Sequence, residues 1–116
     1  MTHVLIIEDE LLLAEILRYA LEDEGVTSFD FATTEEAAVA AAIAHIPDLI
    51  TSDVRLDAGT GPNAVATIFQ RLGEIPVIFV TGTPAECVPC NPPGRVLTKP
   101  LDFQEFVQAV HESLPL

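Results

Sequence analysis

Five side chains carry the chemistry open to this sequence: the carboxylates of Glu8, Asp9 and Asp53, the hydroxyl of Thr81 and the ammonium of Lys99. Each stands at or just past the end of a short apolar run. Glu8 and Asp9 follow His3-Val4-Leu5-Ile6-Ile7, Asp53 follows Ile46-Pro47-Asp48-Leu49-Ile50-Thr51-Ser52, Thr81 closes Pro76-Val77-Ile78-Phe79-Val80, and Lys99 follows Arg95 to Thr98. If those runs are strands of one parallel sheet, all five groups lie along its C-terminal edge, where open α/β sheets bind their ligands. Carboxylates gathered there repel: at ~5 Å and an effective dielectric of ~20, one pair costs about 3 kcal/mol. One lysine does not offset three acids, whereas a hard divalent cation does, and an all-oxygen set that leaves room for water suits Mg²⁺ better than zinc. Beside such a cation Asp53 can attack a phosphorus centre, while Thr81 and Lys99 hold the oxygens of the transferring group and offset its charge.

The elements needed to position these groups are written in the pattern. His3 to Ile7 reads as a buried strand. From Glu10 to Gly25 the residues Leu13, Ile16, Leu17, Ala20 and Leu21 fall at helical spacing, with Gly25 as the stop. Val26 to Phe31 reads as a second strand, and Thr33 with Glu36 forms a capping-box pattern before an Ala-rich helix running to about His45. Ala37, Ala40, Ala41 and Ala44 would give that helix a flat face, close to the sheet but contributing little burial. Pro47 presets an extended entry into the run that ends at Asp53, and Asp57-Ala58-Gly59-Thr60-Gly61 is a Gly-rich loop. Val65, Ile68, Phe69 and Leu72 mark a third helix that stops near Gly73. Pro76 to Thr81 is a strand. The segment from Gly82 to Gly94 carries Pro84, Pro89, Pro92 and Pro93, which leave room for at most one helical turn. Arg95 to Thr98 is a fifth strand, and Asp102 with Glu105 caps a last helix whose core face is Phe103, Phe106, Val107, Val110 and Leu114. Strand and helix alternate with short connections, which predicts an α/β domain over residues 1–116, built on a doubly wound parallel sheet with helices on both faces.

Composition agrees with that reading and excludes others. The 116 residues are 49% hydrophobic, as a sheet covered on both faces requires. Eighteen acids against five scattered bases give a formal net charge of −13. That balance speaks against nucleic acid, whose phosphates need clustered Lys and Arg, and against anionic membranes. No apolar run approaches the ~18 residues of a membrane helix, and the start Met1-Thr2-His3 lacks the basic segment of a signal peptide. A cytoplasmic chain is expected, in which Cys87 and Cys90 are free thiols rather than a structural disulfide.

The order and spacing of Glu8-Asp9, Asp53, Thr81-Gly82 and Lys99-Pro100 resemble the receiver domain of two-component response regulators, over essentially the whole chain. The resemblance implies a flavodoxin-like (βα)5 fold with strand order 2-1-3-4-5 and a cis Lys99-Pro100 bond. It further implies Mg²⁺ held by Glu8, Asp9, Asp53 and the backbone carbonyl of Arg55, and phosphoryl transfer to Asp53 from a histidine kinase or a histidine phosphotransfer protein. Such a module is not an enzyme beyond its own Mg²⁺-dependent phosphorylation and dephosphorylation. With no effector domain following the last helix, it is expected to act by protein contact, as a single-domain regulator or a phosphate relay. The sequence also departs from the family pattern. Val96 stands three residues before Lys99, where most receivers carry an aromatic, and Asp57 stands where proline is common. Pro76 to Gly82 resembles the Phe-Ala-Thr-Gly signature of the FAT GUY receivers, which lack that aromatic and are associated with alphaproteobacterial stress signalling.

Plainer readings stand beside these. Asp9 alone is a helix-start acid, Asp53 a turn residue, Thr81 a β-branched strand residue and Lys99 a solvated charge; their joint arrival on one sheet edge is what chance does not supply. An unphosphorylated receiver-like interaction module and a thiol redox protein using Cys87 and Cys90 are the rival functions. The cysteine pair lies in a Pro-rich stretch rather than at the start of a good helix, and no second ligand pair points to zinc. A small-molecule phosphatase is disfavoured because Asp53-Val54-Arg55 lacks a second acid two residues on. His3, His45 and His111 are isolated in sequence and read as surface residues.

Overall fold

In the computed structural model, residues 2–88, 90 and 94–114 are described. The elements are β1 (His3–Ile7), α1 (Leu11–Asp23), β2 (Ser28–Ala32), α2 (Glu35–Ala44), β3 (Leu49–Ser52), α3 (Gly61–Leu72), β4 (Val77–Thr81), β5 (Arg95–Thr98) and α4 (Phe103–Ser113). The five strands pair in parallel in the order β2-β1-β3-β4-β5, which is the flavodoxin-like order. Strands β1, β3 and β4 are buried along their whole length, because helices cover both faces and leave no side open to water. Alternation along the strands divides the core in two. Leu5, Ile7, Ile50, Val77 and Phe79 pack with Ala38 and Ala42 of α2 and Val65 and Ile68 of α3. On the other face Val4, Ile6, Leu49, Ile78 and Val80 pack with Leu17 and Leu21 of α1 and Phe106 and Val110 of α4.

Several local expectations need correction. The cap of α2 is Thr34, whose hydroxyl accepts the Ala37 amide, and not Thr33. Thr34 is the residue held extended, because it bridges to Ala58 across the loop after β3. The buried face of α2 is accordingly Ala38 and Ala42, while Ala37, Ala40 and Ala44 face outward and Ala41 is half-buried. Phe103 of α4 is half-exposed at 50%, whereas Phe106, Val110 and Leu114 do enter the core. Asp102 caps α4 as expected, accepting the amides of Gln104 and Glu105. Between β4 and β5 the described residues form a 3-10 turn, Pro84–Glu86, and no α-helix; Pro89, Pro92 and Pro93 lie outside the described residues.

The cysteines are not free thiols. Cys87 and Cys90 form a disulfide, because the turn brings their Cα atoms to 5.4 Å, inside the range a bridge requires. Both are buried against the α2–α3 side of the core, as is half-buried Val96 beside them. His3 and His45 are not isolated either: His3 is buried, and the two rings stack with centroids 3.5 Å apart. The strand register sets His3 beside Ser28 of β2, and the end of α2 delivers His45 to the same face. His111 is on the surface, as expected, paired with Glu24.

Candidate functional site

The C-terminal ends of β1, β3, β4 and β5 form one edge of the sheet. Register fixes the depth of each group: Ile7 pairs with Ser52, so Glu8-Asp9 and Asp53 leave the sheet side by side, and the Asp53 amide donates to the Ile7 carbonyl at 2.9 Å. Thr81 pairs with Thr98, so Lys99 emerges next to the end of β4, with its amide on the Thr81 carbonyl. The Lys99-Pro100 peptide is cis.

The carboxylates of Glu8, Asp9 and Asp53 each offer one oxygen within 4.8 Å of the others. Lys99 Nζ donates to Asp53 Oδ2 at 3.0 Å and lies 3.7 Å from Glu8 Oε1 and 3.9 Å from Glu10 Oε2. The other Asp53 oxygen, Oδ1, accepts the Val54 amide at 2.7 Å. Both oxygens of Asp53 are therefore oriented, and its side chain stays 12% exposed, open to an incoming group.

Glu8 is different: its side chain is 1% exposed, Oε2 accepts the Glu10 amide at 3.1 Å, and Oε1 is buried with no hydrogen-bond partner. Burial pushes the Glu8 carboxyl up to about 8, and the charge of Asp53 pushes the same way, against the pull of the Glu10 amide and of Lys99. For Lys99, partial burial lowers the pKa, but the bond to Asp53 and the charges of Glu8, Asp53 and Glu10 outweigh it, so the ammonium is held above its ordinary value. A buried oxygen with no donor costs free energy unless something positive faces it. The donor set around it is all oxygen, as a hard cation prefers, so these residues fit Mg²⁺.

Thr81 is buried at the same edge with its hydroxyl engaged: Oγ1 accepts the Thr83 amide at 3.0 Å and lies 3.2 Å from Thr83 Oγ1. The structure does not turn the Arg55 side chain toward the carboxylates. It runs to Glu86, with three contacts of 2.6–3.1 Å tying the loop after β3 to the turn after β4. Sequence reasoning missed Glu86 because the pair spans 31 positions and both partners lie in irregular loops.

One small residue is essential to the geometry. A Cβ on Gly61 would overlap the Asp53 carbonyl and the Ser52 hydroxyl, and the Gly61 amide donates to the Val54 carbonyl at 2.8 Å. The first turn of α3 can press against the end of β3 only because that side chain is absent. A groove of about 690 Å³ between α2 and the loop after β3, lined by Thr34, Val39, Ile43, Ala58 and Thr67, carries none of these groups.

Comparison with known proteins agrees with the geometry. The response regulator receiver domain profile matches residues 4–111. The chain is 36% identical over 86 residues to the KDP operon transcriptional regulatory protein KdpE of Escherichia coli, a match covering 74% of the chain and 37% of the relative. It is 39% identical over 85 residues to the phyllosphere-induced regulator PhyR of Methylorubrum extorquens, covering 72% and 32%. The chain thus matches about a third of the length of these relatives. Among solved structures, the receiver domain of Erythrobacter litoralis PhyR superposes with a TM-score of 0.87 at 29% identity, covering 99% of the chain and 91% of that domain. Strand order, edge geometry and profile converge: the chain belongs to the response regulator receiver domain family.

Proposed function

We propose that this chain is a phosphorylation-dependent signalling module whose acceptor is Asp53 and whose donor is the phosphohistidine of a histidine kinase or a histidine phosphotransfer protein. The observation that carries the reading is the gathering of Glu8, Asp9 and Asp53, each with an oxygen within 4.8 Å of the others, with Lys99 as the cation beside them and Glu8 Oε1 buried without a hydrogen bond. Glu8, Asp9, Asp53 and the backbone carbonyl of Arg55 are the groups that would hold Mg²⁺. When bound, the ion supplies the positive charge that lets the carboxylates and a phosphoryl group share one small space.

The chain's own residues do the rest. The Val54 amide and Lys99 fix the Asp53 carboxylate, so its orientation is set before the phosphoryl donor arrives. As the new O–P bond forms, the P–N bond breaks and its electron pair stays with the donor imidazole, which takes up a proton. Lys99 then shifts its charge toward the transferred oxygens. Thr81 donates to one of them once its hydroxyl leaves Thr83.

Residues 1–116 form one receiver unit, and its phosphorylation is read by contact with other protein surfaces in the cytoplasm. Val96 in place of an aromatic, the Thr81-Gly82 strand end and the likeness to PhyR support placement with the FAT GUY receivers of stress signalling. Among the described residues no helix is long and apolar enough to cross a membrane.

Beryllofluoride, a mimic of the phosphoryl group, tests the reading. It should load the wild type only with Mg²⁺ present, shifting the amide resonances of Thr81 and Thr83, and Asp53→Asn should abolish the shift. Loading that survives in Asp53→Asn, or that is indifferent to Mg²⁺, overturns the assignment.

A further inference from the structure

At the opposite edge of the sheet, where the strands begin, we infer that His3, Asp30 and His45 form a binding site for a divalent ion of the zinc class. One nitrogen of each imidazole and one Asp30 oxygen lie within 4.8 Å of one another. Two imidazoles and a carboxylate are a donor set that zinc accepts, with a fourth position left for water.

His3 is built as a ligand. It is 3% exposed, its backbone amide donates to Asp48 Oδ2 at 2.8 Å, and its ring is held from both sides. Nδ1 lies 2.7 Å from Ser28 Oγ, an outer partner that fixes the ring and leaves Nε2 facing Asp30 Oδ2 at 2.9 Å. That separation is close to the ~3.3 Å edge of a tetrahedron with bonds of ~2.0 Å.

A buried histidine satisfied by Ser28 and Asp30 would need nothing more. Yet an exposed second imidazole, His45 at the end of α2, lies flat against it with the planes 9° apart. Two parallel rings cannot both aim a nitrogen lone pair at one ion, so His45 turns about its side-chain bonds as the ion enters; being exposed, it is free to do so. With metal on Nε2, a proton on Nδ1 would be donated to Ser28 Oγ, which holds the ring in the ligating orientation. The ion would tie β1, edge strand β2 and the end of α2 together, linking three elements at an edge remote from Asp53.

Zinc chloride titrated calorimetrically into the untagged chain with Mg²⁺ in excess tests this. Wild type should take up one zinc per chain and gain thermal stability by mass action. His45→Ala and Asp30→Asn should each weaken binding at least about tenfold, and His45→Ala should lose the thermal gain. Asp9→Asn should leave both unchanged. His45 is exposed, so its variant should keep the native fold, checked by its amide spectrum. No zinc uptake, uptake that His45→Ala leaves within tenfold of wild type, or uptake removed by Asp9→Asn overturns the site.

Discussion

Glu8 is the residue under most electrostatic tension, and it gives the site a dependence on pH. Its carboxyl is pushed from the ordinary 4.5 up to about 8 in the folded chain, so between those values the folded state holds a proton that the unfolded state has lost. Protons favour the state that binds them more tightly. The contribution is therefore complete below the ordinary carboxyl range and is lost as pH rises through about 8. In metal-free protein the urea midpoint should fall between roughly pH 6 and roughly pH 9, by a loss on the order of 1–3 kcal/mol at about 1.4 kcal/mol per pKa unit. Glu8→Gln should flatten that slope. Mg²⁺ affinity should rise over the same interval, because the ion displaces the proton. A wild-type slope equal to that of Glu8→Gln contradicts the assignment. At this scale the carboxylates and Lys99 were legible, since strand-end position plus parallel topology dictates where they meet. The engagement of Thr81 by Thr83, the Arg55–Glu86 tie and the stacking of His3 on His45 were not, because they depend on loop paths and side-chain rotation that spacing does not encode.

Two elements rest on a single residue each. At Gly61 any side chain meets backbone, which cannot yield as a flexible side chain would. Gly61→Ala should destabilise the fold by about 2–3 kcal/mol, roughly a 10 °C drop in Tm for a domain of this size, and should also displace Asp53. Thermal unfolding reads the first effect and beryllofluoride loading the second. At the start of α2, Thr34→Ala should cost about 1 kcal/mol, whereas Thr33→Ala should cost well under half of that; equal losses in urea unfolding would show that the cap is misplaced. Sequence spacing located every strand and the four helices to within a few residues, because both faces of the sheet impose near-continuous apolar runs and each helix carries a spaced apolar stripe. It misplaced the cap and buried face of α2 for one reason. The inner face of this helix is marked only by alanines, Ala38 and Ala42, while its large residues, Val39 and Ile43, lie off that face beside the groove, so apolar spacing does not reveal its rotation. The exposure of Phe103 escaped for the opposite reason: a large apolar residue at the right spacing looks like core even where it stays half in water.

At the scale of the whole molecule, a doubly wound sheet brings chemistry from four strand ends to one edge and leaves the rest of the surface for contacts. The net charge of −13 makes that surface strongly acidic, so partners should dock through basic or apolar faces, and their association should slow as salt is raised. The central event at that edge is the arrival of a phosphoryl group on Asp53. The measurement that tests it most directly is phosphotransfer from a panel of autophosphorylated histidine kinases, with phosphoramidate as a small-molecule donor alongside, followed by borohydride trapping and peptide mapping. One phosphoryl group per chain should appear, only with Mg²⁺, at Asp53, and none should appear in Asp53→Asn. A label mapped to any other residue, or no label from any donor on a chain shown to be folded, contradicts it.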